Sequence, residues 1–223
     1  MSIAVVVNSC LSYYQTTVPL LLQSLSDAGW DTMCHTFIVV GEASEDLNDT
    51  YQGTPIFFRR YVNIDNNGLV WAASPMGIDT LRDFEWIFYL HDTCTVFPDF
   101  KKRLLSKVPS STEYVGMKIC TSWSMSIGFY HKATLQSQPM VEYFSATINM
   151  SLDPVSMKGL VEDVVFDELG KYGTLGILNT RFSKCTDVRP LYGEAKRRTE
   201  VFDWPGINKH KANWGQGGWI IVP

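Results

Sequence analysis

The 223-residue chain lacks both a long basic block and a long apolar run. Its formal net charge is −4, and without clustered Lys and Arg there is little electrostatic basis for binding nucleic acid. No apolar stretch approaches the roughly 20 residues that a membrane-spanning helix needs. We therefore expect no nucleic-acid partner and no membrane span. The length is sufficient for one domain with a sizeable core.

Cysteine is scarce, and its number and spacing argue against a disulfide-stabilised fold and against a zinc site. The five residues are Cys10, Cys34, Cys94, Cys120 and Cys185. An odd number without any Cys-x-x-Cys pair indicates neither a disulfide framework nor a zinc site. The amino terminus also lacks the basic lead and small-residue cleavage site of a signal peptide. Free thiols in a reducing compartment fit this pattern best, and we expect a cytoplasmic protein.

Strand and helix patterns alternate over the first 92 residues. The apolar, β-branched run at 3–7 is typical of a buried parallel strand, and a helical pattern follows at 18–28. Further strands are predicted at 36–40, 55–61 and 86–90, with a polar loop at 41–49, a turn at 63–68 and a helix at 77–84. This alternation indicates βαβ units and a parallel sheet, so the predicted class is α/β.

The second half of the chain is less regular. Helices are predicted at 99–108, 136–149 and 155–172, strands at 114–120 and 124–130, and a loop-rich tail after Arg181. No internal repeat or low-complexity linker divides the chain. A single domain is therefore predicted.

Polar residues stand directly after the predicted parallel strands. Asn8, Ser9 and Cys10 follow the first strand, Glu42 follows the second, and Asp92 follows the apolar run at 86–90. In an open α/β sheet the ligand crevice lies at the carboxyl ends of the strands. The same residues also suit plain turns, caps and acidic surface loops, so at this point both interpretations stay open.

The order of motifs between Asn66 and Cys94 resembles the nucleotide-sugar half of GT-A glycosyltransferases, especially the inverting family-two type. Asn67-Gly68 and the segment 73–78 resemble the family's Asn-x-Gly and Ala-Arg-Asn-x-Gly-Ile motifs. Ser74 and Pro75 stand where the family has Arg and Asn, which removes a cationic contact to the nucleotide. The resemblance implies a GT-A-like (Rossmann-like) open mixed sheet flanked by helices. Residues 1–95 would form the nucleotide-sugar half, and 96–223 the acceptor half with a C-terminal lid or tail.

The resemblance also assigns roles on the donor side. Asn8, Ser9, Cys10, Asn67 and Gly68 would line the nucleotide pocket. Glu42 would accept the imide hydrogen bond of a uracil base, because a carboxylate accepts N–H bonds from a base edge. The segment 124–131 loosely resembles the part that lines the acceptor side, where Gly128 would let the donor sugar approach the backbone.

A divalent metal is part of what the resemblance implies. His91-Asp92-Thr93-Cys94 stands where the family has Asp-x-Asp, which holds a cation against the donor diphosphate. Either His91 and Thr93 flank the middle position, or Cys94 replaces the second acid. Mn²⁺ or Mg²⁺ is expected, since both prefer oxygen ligands. Asp92 is the predicted ligand.

Two further segments complete the predicted site. A C-terminal histidine ligates the metal in some GT-A enzymes, which points to His210, while Lys209 and Lys211 would neutralise the diphosphate leaving group. Glu162-Asp163 resembles the family's Glu-Asp pair at the start of a helix, with Asp163 as the general base. An acidic first helical turn is also common without any such role.

The predicted activity is transfer of a sugar from a nucleoside-diphosphate donor, expected to be uridine-linked, to a glycan or glycoprotein acceptor with inversion. One alternative is a nucleotidyltransferase, although 8–15 contains none of the Lys or Arg that its phosphate loop needs. The other is a catalytically degenerate sugar- or nucleotide-binding protein, which the incomplete Asp-x-Asp favours.

Overall fold

The structure is a computed structural model that describes residues 2–62, 66–119, 126–148, 164–178, 183–187 and 197–212. For 183–187, 197–199 and 211–212 only the backbone is described. The predicted residues Glu162 and Asp163 lie outside the described residues, and so does the side chain of Lys211.

Two β-sheets organise the described chain. The strands are β1 Ile3–Cys10, β2 Thr36–Gly41, β3 Leu47–Tyr51, β4 Thr54–Phe58, β5 Trp86–His91, β6 Cys94–Val96, β7 Gly116–Lys118, β8 Gly128–His131, β9 Leu175–Ile177, β10 Ser183–Asp187, β11 Arg197–Phe202 and β12 Ile207–Ala212. The large sheet has the order β3-β4-β2-β1-β5-β8-β7-β9. The small sheet has the order β10-β11-β12-β6.

The centre of the large sheet is parallel, as the sequence predicts. Strand β1 pairs in parallel with β2 and β5, and β2 pairs in parallel with β4. Asn8 is in register with Val39 on one side and His91 on the other. The carboxyl ends of these strands therefore lie at one edge. Strand β8 runs antiparallel to β5 and makes the sheet mixed.

Helices cover the large sheet on both faces. They are α1 Tyr14–Asp27, α2 Asn67–Ala72, α3 Pro75–Thr80, α4 Phe100–Ser106, α5 Lys132–Leu135, α6 Gln138–Ile148 and α7 Val165–Leu169, and a 3₁₀ turn follows at Gly170–Tyr172. None of the helices in the described part of the chain is long and apolar enough to cross a membrane.

The side chains of β1 and β5 alternate between two hydrophobic cores, one on each face of the sheet, because successive strand residues point to opposite faces. On one face Phe88 and Leu90 pack with Leu21 and Leu25 of α1. On the other face Ile87 and Tyr89 pack with residues of α2, α6 and α7, including Trp71, Phe144 and Phe166. The continuous apolar runs at these strands are explained by burial on both faces.

Three predictions about secondary structure are wrong. Strand β3 occupies part of the predicted polar loop at 41–49. It is an exposed edge strand joined to β4 by Gln52 and Gly53, both with positive φ, as in a tight hairpin turn. Asn67-Gly68 begin helix α2 and do not form a turn. The tail after Arg181 contains three strands, whose polar sequences give no apolar run.

Candidate functional site

The carboxyl edge of the parallel strands brings together three of the predicted residues. The Asp92 backbone N–H donates to the Asn8 carbonyl at 2.9 Å, directly beyond the paired ends of β1 and β5. Ser9 Oγ donates to Asp92 Oδ2 at 2.5 Å. All three side chains are buried. The predicted position of Asp92, at the end of a strand and beside Ser9, is confirmed.

The Asp92 carboxylate also binds a residue that sequence reasoning missed. Thr17 Oγ1, in the first turns of α1, donates to Asp92 Oδ2 at 2.5 Å. Two hydroxyl donors therefore share one carboxylate oxygen. Hydrogen bonds to an ionised acceptor are strong. The Asp92 carboxylate therefore links α1, through Thr17, to the ends of β1 and β5.

The amino-terminal end of helix α2 lies at the same carboxyl edge of the parallel strands. The Gly68 backbone N–H donates to Asn8 Oδ1 at 3.0 Å. A Cβ at Gly68 would lie 2.7 Å from the Tyr89 ring, so only glycine lets α2 approach β5 this closely. Asn66 and Asn67 are fully buried, and Asn66 Oδ1 accepts a hydrogen bond from Ser126 Oγ at 2.8 Å. The predicted Asn67-Gly68 pair thus belongs to the strand-end cluster, and Asn66 is an unpredicted member of it.

Glu42 and Cys10 lie at the adjoining ends of β2 and β1. Cys10 pairs with Gly41, and Glu42 follows with φ 63°, its N–H donating to the Tyr61 carbonyl at 2.8 Å. Burial, followed by the nearby Asp92 and Glu42 charges, raises the pKa of the Cys10 thiol to about 12. The Glu42 side chain is exposed overall, yet the partial burial of its carboxylate raises its pKa. Cys10 is therefore a protonated, unreactive thiol at neutral pH.

A cleft of about 580 Å³ has Tyr61, whose carbonyl accepts the Glu42 N–H, in its lining, while Glu42 itself is not a lining residue. The cleft is lined by residues that include Arg59, Tyr61, Ser74 and Asn48. Arg59 is almost fully buried, and its guanidinium donates to the carbonyls of Leu47 and Phe58 and to Asn48 Oδ1. Arg59 thus connects β3 and β4 at the cleft, while the Ser74 hydroxyl caps α3 by accepting from the Gly77 N–H and donates to the Trp71 carbonyl.

His91 and Lys209 meet at the end of β5. Lys209 Nζ lies 2.9 Å from His91 Nδ1, and the two side chains are 5% and 4% exposed. Strand β12 reaches this position because it pairs with β6, where Lys209 is in register with Cys94. The predicted residue Lys209 therefore lies at the same sheet edge as Asp92.

His210 projects to the other face of β12, because neighbouring strand residues alternate. Its Nε2 lies 3.2 Å from Thr95 Oγ1, and its backbone N–H donates to the Thr93 carbonyl at 2.9 Å. Lys209 and His210, which are adjacent in the sequence, are thus directed away from each other.

Among the described residues, the set of ligands that the resemblance implies for a divalent metal is not assembled. Asp92 Oδ2 is already occupied by the Ser9 and Thr17 hydroxyls, and His91 Nδ1 faces the Lys209 ammonium. Among the residues that the structure describes, no group of three or more His, Cys, Asp or Glu is arranged to hold a metal ion. The predicted pairing of Asp92 with His210 around Mn²⁺ or Mg²⁺ stays a prediction.

Gly128 lies in β8 opposite Tyr89 of β5. Its φ is 155°, and a Cβ there would overlap the Met117 carbonyl and lie 3.0 Å from the Phe166 ring. The close approach at this glycine therefore involves the protein's own β7 and α7. Its predicted contact with a donor sugar stays a prediction.

No protein-family model matches the chain, and no curated protein matches it. Among solved structures it is similar to TarS of S. aureus, with 10% identity, a TM-score of 0.42, and coverage of 81% of this chain and 36% of that one. It is also similar to a glycosyltransferase involved in the glycosylation of the major capsid of PBCV-1, with 14% identity, a TM-score of 0.40, and coverage of 78% and 81%. The chain thus spans about a third of TarS. At these identities and TM-scores, assignment of a function depends on the residues of this chain.

Proposed function

We propose that the protein is a glycosyltransferase that takes a sugar from a nucleoside-diphosphate donor, with inversion at the anomeric carbon. The observation that carries the proposal is the convergence of Asn8, Ser9, Asp92 and the start of α2 at the carboxyl edge of the parallel strands. Open α/β sheets bind ligands at this edge. The acceptor would be a glycan or a glycoprotein.

The nucleoside would lie between the end of β1 and the cleft beside Glu42. The Glu42 backbone N–H donates to the carbonyl of Tyr61, which lines the cleft. A carboxylate accepts N–H hydrogen bonds, so Glu42 would select a base with an imide N–H, as uracil has. The Tyr61 ring would offer an apolar face to the base.

The reaction itself is assigned to the acidic pair that precedes α7. Asp163 would accept the proton of the attacking acceptor hydroxyl, and Glu162 would stand beside it. A chain of buried ring contacts joins the end of β5 to α7, the helix that follows this pair in the sequence. His91 contacts Tyr89, Tyr89 contacts Tyr130, and Tyr130 stacks on Phe166 of α7 with centroids 4.6 Å apart.

Calorimetry with three nucleotides tests the proposal. Uridine diphosphate is expected to bind more tightly than adenosine or guanosine diphosphate, because the imide N–H of uracil would donate to the Glu42 carboxylate and the resemblance implies a uridine-linked donor. Titrations should be run both with Mn²⁺ and with chelator, so that a metal requirement does not hide binding. Equal affinity for the three diphosphates, or no binding to any, would contradict a uridine-linked donor. Uridine diphosphate binding without any donor hydrolysis would favour a degenerate binding protein.

The affinity for uridine is expected to fall as the pH is lowered from neutrality toward the ordinary Glu pKa of about 4.3. The pKa of Glu42 is raised by burial, so its carboxylate becomes protonated above the ordinary Glu value of about 4.3. The protonated acid loses the charge that strengthens the bond to the base N–H. Uridine is the appropriate probe because it has no phosphate to titrate in this range.

Glu42→Gln is the matched control for this pH effect. The amide keeps the size of the side chain but does not titrate, so its uridine affinity should be lower at neutral pH and independent of pH. Ligand-observed NMR titrations measure both proteins. A wild-type profile as flat as that of the variant would remove Glu42 from the base pocket.

A further inference from the structure

The outer edge of strand β3 is accessible to another polypeptide chain. Within the part of the chain that the structure describes, β3 is the outermost strand of the large sheet, and its one partner there is β4. The first four residues of β3 are exposed, and Tyr51 is half-buried. An exposed edge strand presents backbone N–H and C=O groups that pair readily with a strand of another chain. The protein therefore needs a feature that either uses this edge or protects it.

The register of the hairpin shows which backbone groups of β3 point outward. The two-residue turn between β3 and β4 is closed by the pair Tyr51 and Thr54, which makes this the first hydrogen-bonded pair. Hydrogen-bonded and non-hydrogen-bonded pairs alternate along an antiparallel ladder. Thr50 and Asn48 therefore belong to non-hydrogen-bonded pairs, and Pro55 opposite Thr50 fits because proline has no N–H. The N–H and C=O groups of Asn48 and Thr50 are thus directed away from β4.

The Asp49 carboxylate occupies one of these outward groups. Its Oδ1 accepts the backbone N–H of Thr50 at 2.7 Å. Because an ionised carboxylate is a strong acceptor, a strand of another chain would have to displace it before bonding to Thr50. One of the two outward donors of β3 is therefore engaged within the chain itself.

A second copy of the chain is the partner for which the register of pairing can be derived. Two β3 strands related by a two-fold axis run antiparallel, and the same groups meet on both sides. All four outward groups of each strand are used when Asn48 of one copy lies opposite Thr50 of the other. The residue between them, Asp49, then lies opposite itself in a non-hydrogen-bonded pair, where Cα atoms are only about 4.5 Å apart. Like charges directly opposite each other destabilise a sheet.

We propose that Asp49 prevents two copies of this chain from pairing along β3. Its carboxylate engages the Thr50 N–H, and in the paired state it would face the same carboxylate of the second copy. Pairing would join two eight-stranded sheets into one. The second copy would lie next to the cleft, whose lining includes Leu47 and Asn48. The inference concerns the sheet edge and does not depend on the proposed function.

The test is sedimentation velocity of the full chain over a range of protein concentrations. Asp49→Ala is expected to dimerise about 10- to 100-fold more tightly than the wild type, because it frees one backbone donor in each copy. Asp49→Asn keeps an acceptor oxygen for the Thr50 N–H but removes the charge, so its association should be intermediate. Glu45→Ala removes an exposed acid just before β3 and should behave as wild type.

A second substitution shows whether the association of Asp49→Ala uses this edge. Thr50→Pro removes only an N–H that makes no bond to β4, so the double variant should return to the wild-type association. Hydrogen exchange at the amides of Asn48 and Thr50 should also be slower in the Asp49→Ala dimer, because pairing engages both. Unchanged association of Asp49→Ala would overturn the inference. Tighter association that Thr50→Pro leaves in place, or that does not slow exchange at these two amides, would overturn it as well, since the contact would then lie elsewhere.

Discussion

Turnover of the Asp163→Asn variant is expected to be about 10²- to 10⁴-fold lower than that of the wild type, the usual contribution of a general base. Asparagine keeps the size and polarity of the side chain but cannot accept the acceptor hydroxyl proton. Donor affinity should change little, because the base faces the acceptor and not the nucleotide. The measurement is the initial rate of sugar transfer to an acceptor found by screening glycans and glycoproteins.

Glu162→Gln is the matched control, since it removes the neighbouring carboxylate of the same pair. Its turnover should fall much less if Glu162 points to solvent at the start of the helix. Product analysis by NMR adds a second criterion, because a general base that activates the acceptor gives inversion at the anomeric carbon. Near-normal turnover in Asp163→Asn, or a retained anomeric configuration, would remove Asp163 from the mechanism.

The Asp92→Ala variant is expected to lose about 2–4 kcal/mol of unfolding free energy, measured by urea denaturation in the presence of chelator. The carboxylate accepts the Ser9 and Thr17 hydroxyls at 2.5 Å in a buried position. A hydrogen bond to a charged group contributes roughly 1.5–3 kcal/mol, and the substitution leaves the buried Ser9 hydroxyl to find another partner, whereas Thr17 Oγ1 already lies 3.0 Å from the Tyr13 carbonyl. Such a loss is large beside a typical domain stability of about 5–15 kcal/mol.

Two variants separate this role from a general effect of removing an acid. Asp92→Asn keeps one acceptor oxygen for the hydroxyls and should lose about half as much stability as Asp92→Ala. Asp83→Ala, whose side chain is 86% exposed, should be close to wild type. If Asp92 served only as a metal ligand, then Asp92→Ala without metal would be as stable as wild type, and the structural role assigned to it would be wrong.

The central strands could be predicted because strands that are buried on both faces have continuous apolar sequences. Strands β1, β2 and β5 are buried on both faces, so each appears as a continuous apolar run. Strands β3 and β12 have no continuous apolar run. Strand β3 is an exposed edge, and β12 carries Asn208, Lys209 and His210 in succession, so it has no apolar run although Lys209 and His210 are buried.

The positions of the candidate site residues in the sheet could be predicted, but the directions of their side chains could not. Sequence reasoning placed Asn8, Ser9 and Asp92 at one sheet edge, and the structure brings them together. It could not show that Asp92 turns toward Thr17, 75 positions away, while its neighbour His91 turns toward Lys209, 118 positions away. Those directions are set by tertiary packing, and residue types along the chain do not encode them.

The pairing of β6 with β12 has a consequence for the order in which parts of the protein fold during its synthesis. Cys94 and Lys209 are strand partners, so a ribosome has released the whole parallel sheet long before the residue that contacts His91 emerges. Contacts between such distant segments form late, because closing a long loop costs entropy before the contact can repay it. Until then the end of β5 and strand β6 are without their partner, and chains interrupted before Ile207 would keep the central sheet while lacking one wall of the site. Nascent chains of increasing length should therefore become protease-resistant first in 3–91 and acquire nucleotide binding only after β12 has been synthesised.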